Sequence, residues 1–362
     1  MFSTILWFIV GLVALIGGAE LLVRSVSRLA VIAGISKLVI GLTVVAFGTS
    51  APELAVSIQA GVTGQTDIMI GNIVGSNLTN ILLILGLSAL IIPLKVHKTL
   101  IKVDLPFLIV ITILVYILGL NGFFTIWECL LLTVILAIYL FYLFRQKGDV
   151  DIPLAEGEDV KKHSVPKDLV LLVIGFAGLI LGARWIVSSA IIFAEMAGVS
   201  ELVIGLTVVA IGTSLPEIVI SLLAAFKGEK DIAVGNIVGS NILNFLAVLG
   251  VSGMFIPEAI PIQQSLLDVD LILLIGATIL CFPIFFTGRR IVRWEGAVFL
   301  VLYIAYLLYQ FLIASDHEVL EVFIALMLYF VFPMILLLVT TAFIAETKKR
   351  YRYRNFHHIN HR

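Results

Sequence analysis

Long apolar stretches follow one another along nearly the whole chain, parted by short polar connections. They fall roughly at residues 4–32, 36–61, 67–92, 103–120, 123–144, 168–195, 200–226, 231–256, 267–287, 294–314 and 319–345, and predict eleven helices. Each approaches or exceeds the roughly 20 predominantly apolar residues that a bilayer-crossing helix needs. Composition agrees with the pattern: 61% of the 362 residues are apolar and 13% charged, where a soluble domain is about half apolar and about a quarter charged. No room is left for a large soluble domain. The chain reads as an all-α integral membrane protein whose surroundings are the lipid bilayer. Its first stretch, MFSTILWFIVGLVALIGGAE, has no basic residue ahead of the apolar run and no small-residue cleavage site, so it predicts a first span rather than a removable leader.

Charge placement tests the span count independently, because Lys and Arg gather on the cytoplasmic side of a membrane protein. With eleven spans and an external N-terminus, 22 of the 23 Lys and Arg fall on one face, among them Arg24, Arg28, Lys37, Lys95, Lys98, Lys102, Lys227, Lys230 and the basic C-terminal tail; Arg184 alone lies mid-span. A miscounted span would mix the faces. The expectation is a multi-pass protein of the cell membrane, N-terminus outside and C-terminus cytoplasmic. No nucleic-acid partner is expected, and no protein partner follows from the sequence. Cys129 and Cys281 lie inside apolar stretches and predict plain packing, neither a disulfide scaffold nor a zinc site.

The chain repeats itself. GLTVVAFGTSAPELAVSIQA at 41–60 returns as GLTVVAIGTSLPEIVISLLA at 205–224, and GNIVGSN at 71–77 returns unchanged at 235–241, both at an offset of 164. One offset shared by two blocks signals a duplicated unit. Five spans separate the copies, an odd number, so the second copy enters the membrane upside down. The expected architecture is two inverted-topology five-helix repeats, ten core transmembrane helices, with one extra C-terminal transmembrane helix. Residues 1–145 and 167–314 form the halves, 146–166 a short cytoplasmic linker, and 315–362 the added helix and tail. Transporters built this way hold substrate near the midplane where the repeats meet.

Each copy carries a carboxylate in mid-span, Glu53 and Glu217. A charged group there costs about 3 kcal/mol or more and is by default a functional candidate. Thr49 and Ser50 precede Glu53 by four and three residues, and Thr213 and Ser214 precede Glu217 likewise, so on a helix each set shares one face. Pro52 and Pro216 lack the N–H that would bond four residues back, which loosens carbonyl oxygens near Gly48 and Gly212. In the second motif Asn72, Ser76 and Asn80 recur at intervals of four, matched by Asn236, Ser240 and Asn244, while Gly71, Gly75, Gly235 and Gly239 permit close helix approach. The inventory is oxygen only. Hard cations take such ligands, Ca2+ about six to eight of them; zinc or copper would want His or Cys. Hydroxyls and amides alone would serve equally as glue between helices, and it is the two symmetric glutamates that point to cation binding. Two carboxylates facing one another in a low dielectric resist crossing unless neutralised, which predicts exchange rather than free permeation.

At GTSAPE with GNIVGSNLTN, and GTSLPE with GNIVGSNILN, the sequence resembles the two alpha-repeats of the sodium/calcium exchanger group within the cation/calcium exchanger superfamily. The resemblance covers most of residues 1–314. It implies electrogenic exchange of Na+ for Ca2+ by alternating access, with the first and sixth helices sliding across a fixed core and no cofactor beyond the transported ions. It implies a site of Thr49, Ser50, Glu53, Ser76 and Asn80 with Thr213, Ser214, Glu217, Ser240 and Asn244, plus backbone oxygens at Ala46 and Ala210. Glu53 and Glu217 would bind Ca2+ directly. Potassium-dependent members carry aspartate where this chain has Asn244, so K+ independence is implied. The central loop is too short for the calcium-sensing domains of larger animal exchangers.

Other readings stay open at this point. A Ca2+/H+ antiporter of the same fold would use the same glutamates for protons. A passive cation channel would show steady uncoupled current. A membrane-embedded hydrolase would need a nucleophile with a base or metal-bound water, and no His, Lys or paired Asp accompanies the motif serines; no enzyme is expected. Glu20 and Arg184 occupy equivalent repeat positions on helices one and six and are expected to form an ion pair between the mobile helices, the alternative being separate structural or water-facing roles. Asp67 and Asp231 read as solvated helix ends, and the acidic run Asp149, Asp151, Glu156, Glu158 and Asp159 as a solvated linker. The basic tail reads as a positive-inside anchor.

Overall fold

The structure, a computed structural model, describes residues 2–145, 165–197, 210–256, 258–315 and 317–359. The acidic run of the linker therefore lies outside the described residues. In chain order, α1 (Ser3–Ala33) is followed by α2, which bends by 45° at Ser50 between its limbs Lys37–Thr49 and Ala51–Val62. Then come α3 (Thr66–Ile91), α4 (Leu100–Gly119), α5 (Ile126–Arg145) and α6 (Val165–Phe193). A single turn, Ala210–Thr213, leads into α7 (Leu215–Phe226). The chain continues through α8 (Lys230–Gly253), α9 (Leu266–Phe286), α10 (Arg293–Ala314) and α11 (Leu320–Lys348). Among the described residues nine helices are long and apolar enough to cross a bilayer, ten with the bent α2 counted as one span. The remaining expected span, 200–226, seventh in chain order, is represented by the turn Ala210–Thr213 and α7, with residues 200–209 lying outside the described residues. Only helices satisfy their own backbone groups in lipid, and the four strands among the described residues are two residues each.

Those strands record a two-fold relation. β1 (Leu94–Lys95) pairs antiparallel with β4 (Arg290–Ile291), and β2 (Phe123–Phe124) with β3 (Ile260–Pro261). β1 and β3 occupy the same place in their respective repeats, as do β2 and β4, so each ladder is the counterpart of the other. Helix starts correspond too. Thr125 and Glu128 form a capping box at the head of α5, with Thr125 N donating to Glu128 Oε2 at 2.7 Å, and Glu295 reaches back to Val292 N at 2.8 Å at the head of α10.

Burial sorts the helices into a core and a perimeter. The most apolar stretch of α8 is wholly buried, and that of α3 is 78% buried, against 28% for α1 and 22% for α6. Large apolar side chains such as Val13 and Val173 are exposed and face lipid. Lipid offers helices no hydrophobic drive to associate, so close contact depends on small residues. A Cβ at Gly18 would lie 2.6 Å from Leu179 N, and one at Gly182 2.5 Å from Leu15 N; α1 and α6 thus meet backbone to backbone. Likewise a Cβ at Gly239 of α8 would lie 2.6 Å from the Leu42 carbonyl oxygen of α2.

This glycine seam corrects the expected ion pair. Glu20 and Arg184 each follow a seam glycine by two residues, about 200° around the helix, so both point away from it. Glu20 pairs instead with Lys227 at the end of α7, and Arg184 is exposed. The ion pair that does join α1 to α6 is Arg28 with Asp168, at 3.7 Å. A further pair, Lys37 Nζ with Glu229 at 2.8 Å, ties the start of α2 to the α7–α8 turn. Asp67 is exposed and sits in the first turn of α3, where the helix dipole favours a carboxylate; Asp231 sits in the first turn of α8 but is half-buried, so it is less solvated than expected.

Candidate functional site

Glu53 and Glu217 stand in the first turns of the second limb of α2 and of α7, immediately after the breaks at Ser50 and Ser214. Both breaks have near-identical backbone angles, φ −84° and ψ 4° at Ser50, φ −91° and ψ 9° at Ser214. Each is followed at the second helical position by proline, which begins a helix without needing a donor. The break aims both helix N-termini inward, and both carboxylates are buried at 1% exposure. The Glu217 carboxyl lies in the field of the Glu53 carboxyl and against the hydroxyls of Thr49 and Ser50. The repeats therefore meet here.

α8 crosses this point. Thr49 Oγ1 donates to Asn236 Oδ1 at 3.2 Å and stands 3.5 Å from Ser240 Oγ. Asn236 Nδ2 donates to Ser221 Oγ at 3.1 Å, and its repeat counterpart Asn72 Nδ2 donates to Ser57 Oγ at 3.0 Å and to the Glu53 carbonyl at 3.2 Å. Asn244 Nδ2 donates to Asn77 Oδ1 at 3.3 Å, linking α8 to α3. Several buried oxygens have no donor among the described residues: Glu53 Oε2, Glu217 Oε2, Asn80 Oδ1, Asn244 Oδ1 and Ser214 Oγ. No Lys or Arg forms an ion pair with either glutamate among the described residues. Buried acceptors lacking donors, beside two unpaired carboxyl groups, match the needs of a hard cation.

Of the residues singled out from sequence, Thr49, Ser50, Glu53, Ser76, Asn80, Ser214, Glu217, Ser240 and Asn244 are buried in this region, while Thr213 is half-buried. The Ala46 carbonyl accepts from Ser50 N at 2.9 Å and lies 3.2 Å from Thr49 Oγ1, whose one proton it shares with Asn236 Oδ1, leaving it less available than the resemblance implies. Ala210 opens the turn before Ser214, and its side chain lies outside the described residues. Sequence reasoning missed Asn77, Ser57 and Ser221. Asn77 carries a readable signal, being the last residue of the unchanged GNIVGSN block, but it stands one residue off the Ser76 face. The helices also widen here: π turns at Thr79–Leu85 and Asn244–Leu249 begin within one residue of equivalent positions, and such turns re-aim side chains at functional sites.

Asp104 and Asp270 lie near the starts of α4 and α9, each with a donor. Tyr139 Oη donates to Asp104 at 3.1 Å, and Gln310 Nε2 to Asp270 at 2.8 Å. They sit at helix ends, away from the pair.

The family described as sodium/calcium exchanger protein matches residues 3–145 and 167–312. The chain belongs to that family. It is a multi-pass membrane antiporter of the sodium/calcium exchanger group, a transporter and not an enzyme. Among its relatives, CaxA of Alkalimonas amylolytica, provisionally named an antiporter, is 38% identical over 322 residues, covering 87% of this chain and all of that one. The sodium/calcium exchanger MaX1 of Methanosarcina acetivorans is 34% identical over 343 residues, covering 84% of this chain and 97% of MaX1. A solved structure of the sodium-calcium exchanger NCX_Mj, soaked with Na+ and Ca2+, superimposes with a TM-score of 0.73 at 34% identity, covering 87% of this chain and 99% of that one.

Proposed function

We propose that this antiporter exchanges Na+ for Ca2+, electrogenically and without K+, by alternating access. The observation that supports it is the pair of buried glutamates facing one another across the repeats with hydroxyls against them and, among the described residues, no basic partner. The site consists of Thr49, Ser50, Glu53, Ser76 and Asn80 with Thr213, Ser214, Glu217, Ser240 and Asn244, aided by backbone oxygen at Ala46 and Ala210. Glu53 and Glu217 are the Ca2+ ligands. Their combined charge is balanced by one Ca2+ or by several Na+, so the loaded site crosses while the empty one does not. Hydroxyl oxygen suits desolvated Na+; protons would need the carboxylates alone. In this reading residues 1–145 and 167–314 are the inverted halves, 146–166 is a cytoplasmic linker, and 315–362 is the added helix and tail, with the N-terminus outside.

The test is radioactive Ca2+ uptake into proteoliposomes loaded with Na+ and diluted into Na+-free buffer, alongside K+-loaded and acid-loaded vesicles. Uptake is expected only with internal Na+, is faster when the vesicle interior is held positive, because net positive charge leaves with Na+, and does not require K+. The Glu53→Gln, Glu217→Gln double variant is expected to abolish it. Uptake driven solely by a pH gradient would replace Na+ with H+ in this scheme, and uncoupled Ca2+ leak would refute exchange.

A further inference from the structure

The repeat leaves α11 unexplained, and the family match ends at residue 312, before it. This helix lies against α10 through Leu320–Leu326 and against α9 further on, and packs more closely at its later end. Phe343 packs on Phe286 of α9 with ring centroids 5.2 Å apart, and Ile335 and Val339 are buried. Toward the other end none of residues 320–331 is buried. There α11 carries a π turn at Met327–Val331, directly ahead of Pro333, whose missing N–H loosens the preceding turn. Between α9, α10 and α11 lies a cleft of about 770 Å³, lined by Ile272, Gly276, Leu280, Tyr306, Phe323 and Leu336 among others, with Asp268 at its mouth.

We infer that this cleft binds one acyl chain of a phospholipid whose headgroup carries an ammonium group, seated in the leaflet on the side opposite the basic face. Depth supports an acyl chain. Asp268 and Leu280 are twelve residues apart on α9, about 18 Å of helix, close to half of the roughly 30 Å hydrocarbon thickness. The cleft begins at an interface and ends near the midplane, as one leaflet's chain does. Its volume falls in the range of small-ligand sites, about 300–1,000 Å³, and its lining is apolar apart from Asp268 and the tyrosines.

Charge supports the headgroup. Asp268 is exposed, with one carboxylate oxygen taken by Gln264 Nε2 at 2.9 Å and the other facing solvent. No Lys or Arg lines the cleft, and none occurs in 254–265 or 315–319, the connections flanking its mouth. An ammonium meets this carboxylate favourably, whereas an anionic headgroup finds no cation. The bound chain fills the space between α11 and the second half of the bundle, where helix-to-helix contact is sparse.

Native mass spectrometry of the full chain from micelles holding equal phosphatidylethanolamine and phosphatidylglycerol tests this. One retained lipid per chain is expected, phosphatidylethanolamine over phosphatidylglycerol by about two- to fivefold, the ratio an exposed ion pair supports. Gly276 lines the cleft and a Cβ added there meets nothing within 4 Å, so Gly276→Trp is expected to fill the cleft and remove the lipid. Val110→Trp, on a lipid-facing position 60% exposed, is expected to keep it, and Asp268→Asn to keep the lipid but lose the preference. On the unaltered chain, phosphatidylethanolamine with a photoreactive group in its acyl chain is expected to label 268–280 and 323–336. Equal lipid retention by Gly276→Trp, or labelling spread evenly over the lipid-facing helices, would overturn the inference. So would a dimer that Gly276→Trp dissociates, because the occupant would then be a second copy of this chain.

Discussion

Gly239 is where the packing of α8 against α2 bears most directly on the site. A Cβ added there would lie 2.6 Å from the Leu42 carbonyl oxygen, 2.7 Å from Leu42 Cα and 2.9 Å from Ala46 Cβ. Carbon contacts are comfortable at about 3.5–4.0 Å, so Gly239→Ala must part the two helices by roughly 1 Å, with backbone rather than a movable side chain in the way. Thr49 lies on the same limb of α2, and its distances to Asn236 (3.2 Å) and Ser240 (3.5 Å) are already long. A further shift of that size breaks both. Overpacking of this kind costs about 1–3 kcal/mol, which as a binding free energy is about five- to 150-fold. Alanine also gains about 1 kcal/mol of helix propensity over glycine, so stability is a blunt reporter and transport decides. In Na+-driven Ca2+ uptake the apparent half-saturation for Ca2+ is expected to rise at least about fivefold, while Gly276→Ala, with open space around its new Cβ, behaves as the parent chain. Unchanged half-saturation in Gly239→Ala would refute the claim that this contact sets the site's geometry.

Asn77→Ala deprives the buried Asn244 amide of its 3.3 Å acceptor; an orphaned buried donor costs about 1–3 kcal/mol, and uptake titrations are expected to show weaker Ca2+ and Na+ binding, with wild-type behaviour counting against Asn77 as a site member. Asp168, 2% exposed, and Glu20, 42% exposed, both pair with bases. Asp168→Ala is expected to lower thermal stability in detergent by more than Glu20→Ala, since exposed pairs contribute about 0–1 kcal/mol and unpairing a buried one costs more; the reverse order would contradict the pairing. Cys129 and Cys281 are 0% and 2% exposed, and maleimide is expected to label the chain only after unfolding, whereas rapid labelling of the folded protein would contradict that burial.

Much of this molecule was legible without coordinates because lipid is a simple solvent. It demands long apolar helices and segregated charge, and both are written in the order of residues; the span from 100 to 119 differs from the expected 103–120 only at its ends. The exact repetition of GNIVGSN and the paired mid-span glutamates exposed the duplicated site for a similar reason: a carboxylate in the membrane is too costly to keep without purpose. Sequence could not decide which equivalent residues touch. Glu20 and Arg184 are related by the repeat, yet a glycine seam turns both away, and Arg28 with Asp168 holds α1 to α6 instead. Nor could α-helical spacing find Asn77, because it stands off the Ser76 face and is joined to the site only through its contact with Asn244 of α8. Periodicity and burial cost belong to single segments and survive in the sequence. Rotation of one helix against another, and the local widening of its turns, are set by backbone contact between segments, and only the tertiary structure decides them.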